Sequence, residues 1–87
     1  MLGNEELWAK ALRIAGNEQF CGKKLIEEMS ELTKEIIKLE TKPNGRDPQE
    51  RIDEAGDVYV RLMLYMSKLN QEKLINRINY KLSKLKL

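Results

Sequence analysis

Residues 25–39 read LIEEMSELTKEIIKL, and this stretch decides the fold class. Its apolar residues recur at intervals of four, three, four and three, which is the spacing of a helix that buries one stripe in a bundle. The stripe consists of Leu25, Met29, Leu32, Ile36 and Leu39. Acidic side chains occupy positions beside it. The stretch therefore predicts a long amphipathic helix, from about Glu18 to Glu40.

Capping residues place further helices around this one. Asn4 is a suitable N-cap for a first helix that ends near Ile14. The segment Ala15-Gly16-Asn17 predicts the end of that helix and the cap of the next one. Asn70 separates a third helix from a fourth.

The clearest break lies between the second and third helices. Residues 41–48 contain both prolines of the chain, an Asn-Gly pair and no strongly apolar side chain, so they predict a loop. Asp47 is expected to cap the third helix, with Pro48 at its first position. Because the loop is short, the second and third helices are expected to form an antiparallel hairpin.

Apolar stripes also follow the third and fourth helices. The stripe residues are Ile52, Ala55, Tyr59, Leu62, Met66 and Leu69, then Leu74, Ile78, Leu82 and Leu85. Other apolar residues lie beside the stripes: Ile26, Ile37, Val58, Met63, Tyr65 and Ile75. Broad apolar flanks of this kind usually mark a partner. We expect an all-α fold, a helix hairpin with flanking N- and C-terminal helices, whose bundle is completed by a homodimer or by a heteromeric partner.

Length and composition exclude several kinds of protein. The 87 residues are expected to form a single domain, residues 1–87. No histidine is present, which removes Ser-His-Asp and Cys-His nucleophiles and imidazole-bound zinc. The one cysteine, Cys21, has no partner for an internal disulfide. No apolar run could span a membrane and no signal peptide is evident, so we expect a cytoplasmic protein without membrane partners.

Charge is distributed unevenly along the chain. Residues 1–67 carry 10 basic and 13 acidic side chains, whereas residues 68–87 carry six basic side chains and one acidic one. A basic C-terminal helix is compatible with nucleic acid, with an acidic partner or with a phosphorylated small molecule. The alternative is an ordinary solvated lysine face.

The most informative residues are acidic. Glu28 and Glu31 lie three residues apart on the second helix, as do Glu54 and Asp57 on the third. This spacing places each pair on one side of its helix, so two packed helices can bring four carboxylates around a cation. Any metal here must be held by oxygen ligands, which favours Mg²⁺, Mn²⁺ or Ca²⁺. Gly56 is expected to let the facing helix approach.

The alternative interpretation is that these acids form solvated faces. Several basic side chains are placed to form ion pairs with them: Lys24, Lys34, Lys38 and Arg61. Acid pairs at this spacing are frequent in charged helices, so the spacing alone does not decide between the two interpretations.

The order of the acids resembles a known signature. Residues 27–31, EEMSE, followed after 22 residues by residues 54–57, EAGD, look like the E-E-x-x-E … E-x-x-D motifs of the MazG-like all-α nucleoside triphosphate pyrophosphohydrolases. Residues 15–19 resemble the W-G-x-x-Q segment of the short bacterial and phage members, and residues 80–85 their K-L-x-R-L stretch. The resemblance covers residues 8–86.

This resemblance implies an activity and a set of residue roles. The family hydrolyses nucleoside triphosphates between the α- and β-phosphates with Mg²⁺, for which Mn²⁺ can substitute, and its members are dimers or dimers of dimers. By motif position the metal ligands are Glu28, Glu31, Glu54 and Asp57, and Glu27 is an accessory catalytic acid beside Glu28. The candidate substrate-binding residues are Trp8, Gln19, Asn79, Lys81 and Lys84. The implied role is clearance of modified or excess nucleotides, for a phage or mobile element.

Two other functions are compatible with the same residues. One is a non-catalytic helical module that binds proteins through its acidic face and basic tail. The other is nucleic-acid binding through residues 68–87, which is disfavoured because acidic side chains of the body would repel a polyanion.

Overall fold

The computed structural model describes residues 2–19, 21–42, 44 and 47–86, and over these residues the chain is all-helical, with four helices and no strand. The helices are α1 (Glu5–Ala15), α2 (Cys21–Thr41), α3 (Pro48–Met66) and α4 (Gln71–Lys84). The predicted fold class is therefore confirmed. Within the described residues, each helix is too short or too polar to span a lipid bilayer.

Three of the predicted helix starts are confirmed by side-chain caps. The side-chain oxygen of Asn4 accepts a hydrogen bond from the Leu7 amide at 3.1 Å. Asp47 accepts one from the Gln49 amide, and Asn70 one from the Lys73 amide. Each cap satisfies an amide that has no partner within its helix, which is worth about 1 kcal/mol. Of the predicted loop, Thr41 belongs to α2, and Pro43, Gly45 and Arg46 lie outside the described residues.

The boundary between α1 and α2 differs from the prediction. Glu18 was expected to begin the second helix with Asn17 as its cap, but α2 begins three residues later, at Cys21. Glu18 instead lies in a tight turn, in which its amide donates to the Ala15 carbonyl at 3.1 Å. Its own carbonyl accepts from Lys68 Nζ at 2.7 Å. Contacts with a distant part of the chain therefore hold Glu18 outside the helix.

The core is small and lies where α1 and α2 pack on α3. Its buried side chains are Trp8, Ala15, Cys21 and Leu64, with Leu25 also buried on α2. The Trp8 ring meets Tyr59 edge to face, with ring centroids 6.0 Å apart. The Tyr59 hydroxyl accepts a hydrogen bond from the Leu2 amide, so the N-terminal residues are also attached to α3.

The predicted apolar stripes are only partly covered within one chain. Leu25 is buried, but Met29 is 47% exposed and Ile52 is 58% exposed. Helix α4 contributes no buried side chain, and its stripe residue Leu82 is 60% exposed. The periodicity correctly marks the apolar faces, but a single chain of this length has too few helices to cover them.

The close approach of helices occurs at a different glycine from the predicted one. A Cβ added at Gly56 would meet no atom within 4 Å, so the expectation that Gly56 admits the facing helix is wrong. A Cβ added at Gly22 would lie 3.4 Å from the Tyr65 ring. Gly22 on α2 is therefore the glycine that faces α3, at van der Waals distance from the Tyr65 ring.

Candidate functional site

Packing of α2 on α3 brings three carboxylates together, and we call Glu28, Glu54 and Asp57 the acid cluster. One oxygen of each carboxylate lies within 4.8 Å of the other two. Glu28 and Glu54 are half-buried and Asp57 is exposed. The predicted convergence of acids from two helices is thus present for three of the four expected residues. Exposed acidic groups of this kind also occur in proteins that bind no metal.

The acid cluster has an unfavourable electrostatic environment. Partial burial raises the pKa of the Glu54 carboxyl, and the neighbouring carboxylates of Asp57, Glu31, Glu28 and Glu35 raise it further. Among the residues that the structure describes, no lysine or arginine forms an ion pair with a member of the cluster. A cation placed between these oxygens would remove the repulsion that raises this pKa.

The remaining acids of α2 behave as the solvated-face interpretation predicts. Glu31 pairs with Lys34 at 3.4 Å and Glu35 pairs with Lys38 at 3.3 Å, each along the same helix. Glu31, a predicted metal ligand, is exposed and lies outside the acid cluster. Glu27, the predicted accessory acid, is also exposed and outside the cluster.

A cavity of about 440 Å³ adjoins the acid cluster, and helices α1, α2 and α3 all contribute to its walls. Its polar lining comprises Glu18, Glu28, Asp57 and Arg61, and its apolar lining comprises Ala11, Ile14, Ala15, Val60 and Leu64. The cavity combines carboxylates, the Arg61 guanidinium and an apolar wall. It can therefore hold a ligand that has both a charged part and an apolar part.

Glu18 and its partners form a second polar group in this cavity, which we call the Glu18 clip. The Glu18 carboxylate pairs with Lys24 at 3.1 Å and with Arg61 at 3.6 Å. The Cys21 thiol donates to the same carboxylate at 3.3 Å. These interactions, led by the Cys21 and Lys24 hydrogen bonds, lower the pKa of Glu18. Glu18 could not be recognised from the sequence, because the turn before α2 brings its carboxylate to its three partners.

The predicted substrate-binding residues lie away from the acid cluster in the single chain. Trp8 is buried, and its indole N–H donates to the Leu2 carbonyl, so its position is that of a packing residue. Gln19 is exposed in the turn before α2. The α4 residues Asn79, Lys81 and Lys84 are exposed, and none of them lines the cavity beside the acids.

The basic side chains of α4 gather around an aromatic ring instead. The Arg77 guanidinium lies 4.8 Å from the centre of the Tyr80 ring, and Lys84 Nζ lies 5.4 Å from it. This arrangement holds the two cations beside the Tyr80 ring of α4.

Comparison with known proteins gives no match: no family model, curated protein or solved structure corresponds to this chain. The resemblance of its acidic motifs to the MazG-like pyrophosphohydrolases therefore remains an expectation from the sequence.

Proposed function

We propose that this protein is a Mg²⁺-dependent hydrolase that cleaves nucleoside triphosphates between the α- and β-phosphates, giving the monophosphate and pyrophosphate. The observation that carries this proposal is the acid cluster, in which carboxylates from two helices converge without a basic partner among the described residues. The order of the motifs along the sequence supports the same activity.

The donor set suits the proposed metal. Hard divalent cations such as Mg²⁺ and Mn²⁺ prefer carboxylate oxygens, and the cluster offers one from each of Glu28, Glu54 and Asp57. Glu31 would join them by leaving Lys34, an exposed pairing that costs little to break. The raised pKa of Glu54 supports this assignment, because the repulsion behind it is removed when a cation binds.

The chemistry requires no nucleophilic side chain. When bound, Mg²⁺ supplies positive charge that offsets the charge developing on the phosphates. The acid cluster would hold this cation, and Ala11, Val60 and Leu64 form the apolar wall of the adjoining cavity, in which the triphosphate would be positioned. By its position in the motif, Glu27 is the proposed accessory acid, which would polarise the attacking water or hold a metal ligand in place.

The proposed assembly is a homodimer, or a dimer of dimers, built on an antiparallel α2–α3 hairpin. Large apolar side chains exposed on all four helices support it, among them Ile26 and Ile37 on α2 and Leu82 on α4, at 64%, 58% and 60% exposure. A second copy would cover these faces. In such an assembly, substrate contacts from Gln19, Asn79, Lys81 and Lys84 would come from the partner copy. The proposed biological role is cytoplasmic clearance of unwanted nucleotides.

The test is pyrophosphate release from a panel of ribo- and deoxyribonucleoside triphosphates, with and without Mg²⁺. Glu28→Gln and Glu54→Gln remove one charge each and keep the shape of the side chain. Glu40→Gln, an exposed acid at the end of α2, is the matched control. The proposal expects Mg²⁺-dependent release that the first two changes abolish and the control retains. A folded wild-type protein that releases pyrophosphate from none of the nucleotides would contradict it.

The exposed apolar faces also favour a second candidate, a helical module that binds another protein. Such a module needs no cation at the acid cluster. Titration of the wild-type protein with Mn²⁺, followed by the relaxation of water protons, separates the two candidates. Saturable Mn²⁺ binding that Glu54→Gln removes favours the hydrolase, and its absence favours the interaction module.

A further inference from the structure

We infer that Arg61 is a phosphate-binding residue, which the Glu18 clip holds beside the acid cluster until a phosphorylated ligand enters the cavity. This inference rests on the proposed function and assigns a residue to the anionic part of its substrate. It differs from the roles expected from the sequence, which place the phosphate-binding cations on α4.

The position of Arg61 is the first argument. Arg61 lines the same cavity as Glu28 and Asp57, and within the described residues it is the basic side chain that does so. Its side chain is 31% exposed, so it is reachable from solvent yet partly desolvated. A partly desolvated cation beside a metal-binding cluster favours polyanions, because the interaction of its charge with them is less screened.

The ion pair between Arg61 and its present partner, Glu18, is a loose one. The Arg61–Glu18 separation of 3.6 Å exceeds the roughly 2.7–2.9 Å of a direct charge-assisted hydrogen bond. Glu18 has two closer partners, Lys24 at 3.1 Å and the Cys21 thiol at 3.3 Å. Arg61 can therefore turn towards a ligand without leaving Glu18 unpaired, and the turn before α2 keeps its attachments.

The Arg61 side chain is directed towards Glu18 and does not pair with Asp57. Asp57 and Arg61 are four residues apart on α3, a spacing that normally favours an ion pair along the helix. In the described residues this pair does not form, because Arg61 is directed to Glu18 while Asp57 meets Glu28 and Glu54. The cavity consequently presents separate sites for a cation and for an anion. A complex of Mg²⁺ with a chain of phosphates requires both.

Arginine suits this role better than lysine. Its planar guanidinium carries five N–H donors and can hold two phosphate oxygens at once, and its charge does not titrate near neutral pH. Replacement by lysine keeps the charge and loses the two-point contact. Replacement by glutamine loses both.

The experiment measures binding of inorganic tripolyphosphate in the presence of Mg²⁺ by titration calorimetry, since this probe carries the phosphates of every candidate substrate and no base. The variants are Arg61→Gln and Arg61→Lys. Lys23→Gln is the matched control, because it removes an exposed cation of α2 that belongs neither to the cavity nor to the Glu18 clip. Hydrogen bonds to charged groups predict that Arg61→Gln raises the dissociation constant about 10- to 100-fold. Arg61→Lys should give a smaller increase, and Lys23→Gln a change of less than about twofold.

A second measurement, Mn²⁺ binding without phosphate, distinguishes an anion-binding role from a structural one. Arg61→Gln should bind Mn²⁺ at least as tightly as the wild type, because a positive charge near the acids has been removed. Equal tripolyphosphate binding by Arg61→Gln and the wild type would overturn the inference. So would an equal loss in Lys23→Gln, since that result would show that the loss of any positive charge has the same effect.

The failure of this inference can be told apart from the failure of the proposed function. A wild-type protein that binds tripolyphosphate through Arg61 but hydrolyses no nucleotide would contradict the hydrolase and leave the Arg61 assignment standing. If the wild type and Arg61→Gln hydrolyse nucleotides with the same KM, the hydrolase proposal stands and the Arg61 assignment fails. A protein that binds Mn²⁺ but no tripolyphosphate would overturn the Arg61 inference, and the pyrophosphate-release assay would still decide the hydrolase.

Discussion

Two polar groups adjoin the same cavity of this small protein, and the environments of their carboxylates are opposite. In the Glu18 clip a single carboxylate is shared by Lys24, Arg61 and the Cys21 thiol, and its pKa is lowered. In the acid cluster three carboxylates face one another, and the pKa of Glu54 is raised. The ion pairs of the clip stabilise the fold, whereas the repulsion within the cluster opposes it.

This difference separates a carboxylate that ion pairs hold in a turn from carboxylates that repel one another. In the clip, Lys24 and the Cys21 thiol lie closest to Glu18, and Arg61 at 3.6 Å joins the turn to α3. Unpaired acids with a raised pKa are typical of positions where function is retained at a cost to stability. The predictions below test this division, beginning with the largest expected effect.

The largest effect is expected on catalysis at the acid cluster. Loss of an outer-shell partner of a metal ligand typically costs about 10- to 100-fold, so loss of a direct ligand in Glu54→Gln should lower pyrophosphate release at least about 100-fold. The measurement is steady-state release at saturating Mg²⁺. If Glu54→Gln releases pyrophosphate at a rate close to that of Glu40→Gln, Glu54 is not part of the site.

The next effect is a change in thermal stability that depends on the metal. Mg²⁺ at about 100 times its dissociation constant should stabilise the wild type by about 2.7 kcal/mol through mass action. Glu54→Gln should melt at a higher temperature than the wild type without metal, because the repulsion is relieved, and should respond little to Mg²⁺. Melting curves with and without Mg²⁺ test this. A wild-type melting temperature that Mg²⁺ leaves unchanged would count against the acid cluster as a cation site.

The two groups should also respond to pH with opposite signs. Glu18 has a lowered pKa in the folded protein, so the stability it contributes is complete above its ordinary value of 4.5 and is lost as the pH falls through the lowered pKa. Glu18→Gln should therefore be less stable than the wild type at neutral pH, by a few degrees in Tm, with a difference that narrows in acid.

The pH dependence of stability that Glu54 contributes has the opposite sign. Its pKa is raised in the folded protein, so ionisation destabilises the fold as the pH rises from 4.5 through the raised value. Metal-free Glu54→Gln should gain its full advantage over the wild type above that range and lose it as the pH falls to about 4.5. Thermal melts at several pH values test both residues, with Glu40→Gln as the control. Two differences of the same sign would contradict the division into clip and cluster.

Much of the fold could be predicted from local sequence signals. Helix caps depend on a residue and the amides two or three positions after it, so Asn4, Asp47 and Asn70 were identifiable. The acids of α2 and α3 were also identifiable, because helical spacing fixes the side on which each one lies. The residue types of the acid cluster are therefore readable from the sequence.

The remaining features depend on contacts between distant residues. Glu18 resembles a helix residue until Lys68 and Arg61 from the far side of the chain bind it. Gly22 and Gly56 both lie in helical sequence, and only the packing of Tyr65 shows which one faces a neighbour. Periodicity marked the stripe at Met29 and Ile52 but could not show how little of it one chain covers.

The smallest expected effect concerns the open side of α3, away from the acid cluster. Gly56 lies in a helix with no atom within 4 Å of an added Cβ, so Gly56→Ala should stabilise the protein by about 0.5–1 kcal/mol through helix propensity alone. Gly22→Ala is the matched comparison, and its gain should be smaller because Gly22 lies in the first turn of α2 and not in the helix interior. Urea unfolding of both variants measures the difference.

The same Gly56 variant also bears on the proposed homodimer. Gly56 borders an apolar cavity of about 670 Å³, formed with Leu7, Trp8 and Ile52, which no part of the described chain fills. If a second copy fills this cavity, the added methyl group would collide with it, and Gly56→Ala would weaken the dimer measured by sedimentation. Stabilisation with an unchanged oligomeric state would place the dimer contact elsewhere, on the apolar faces of α2 and α4. A loss of stability in Gly56→Ala that accompanies dissociation would show that this side of α3 is part of the interface.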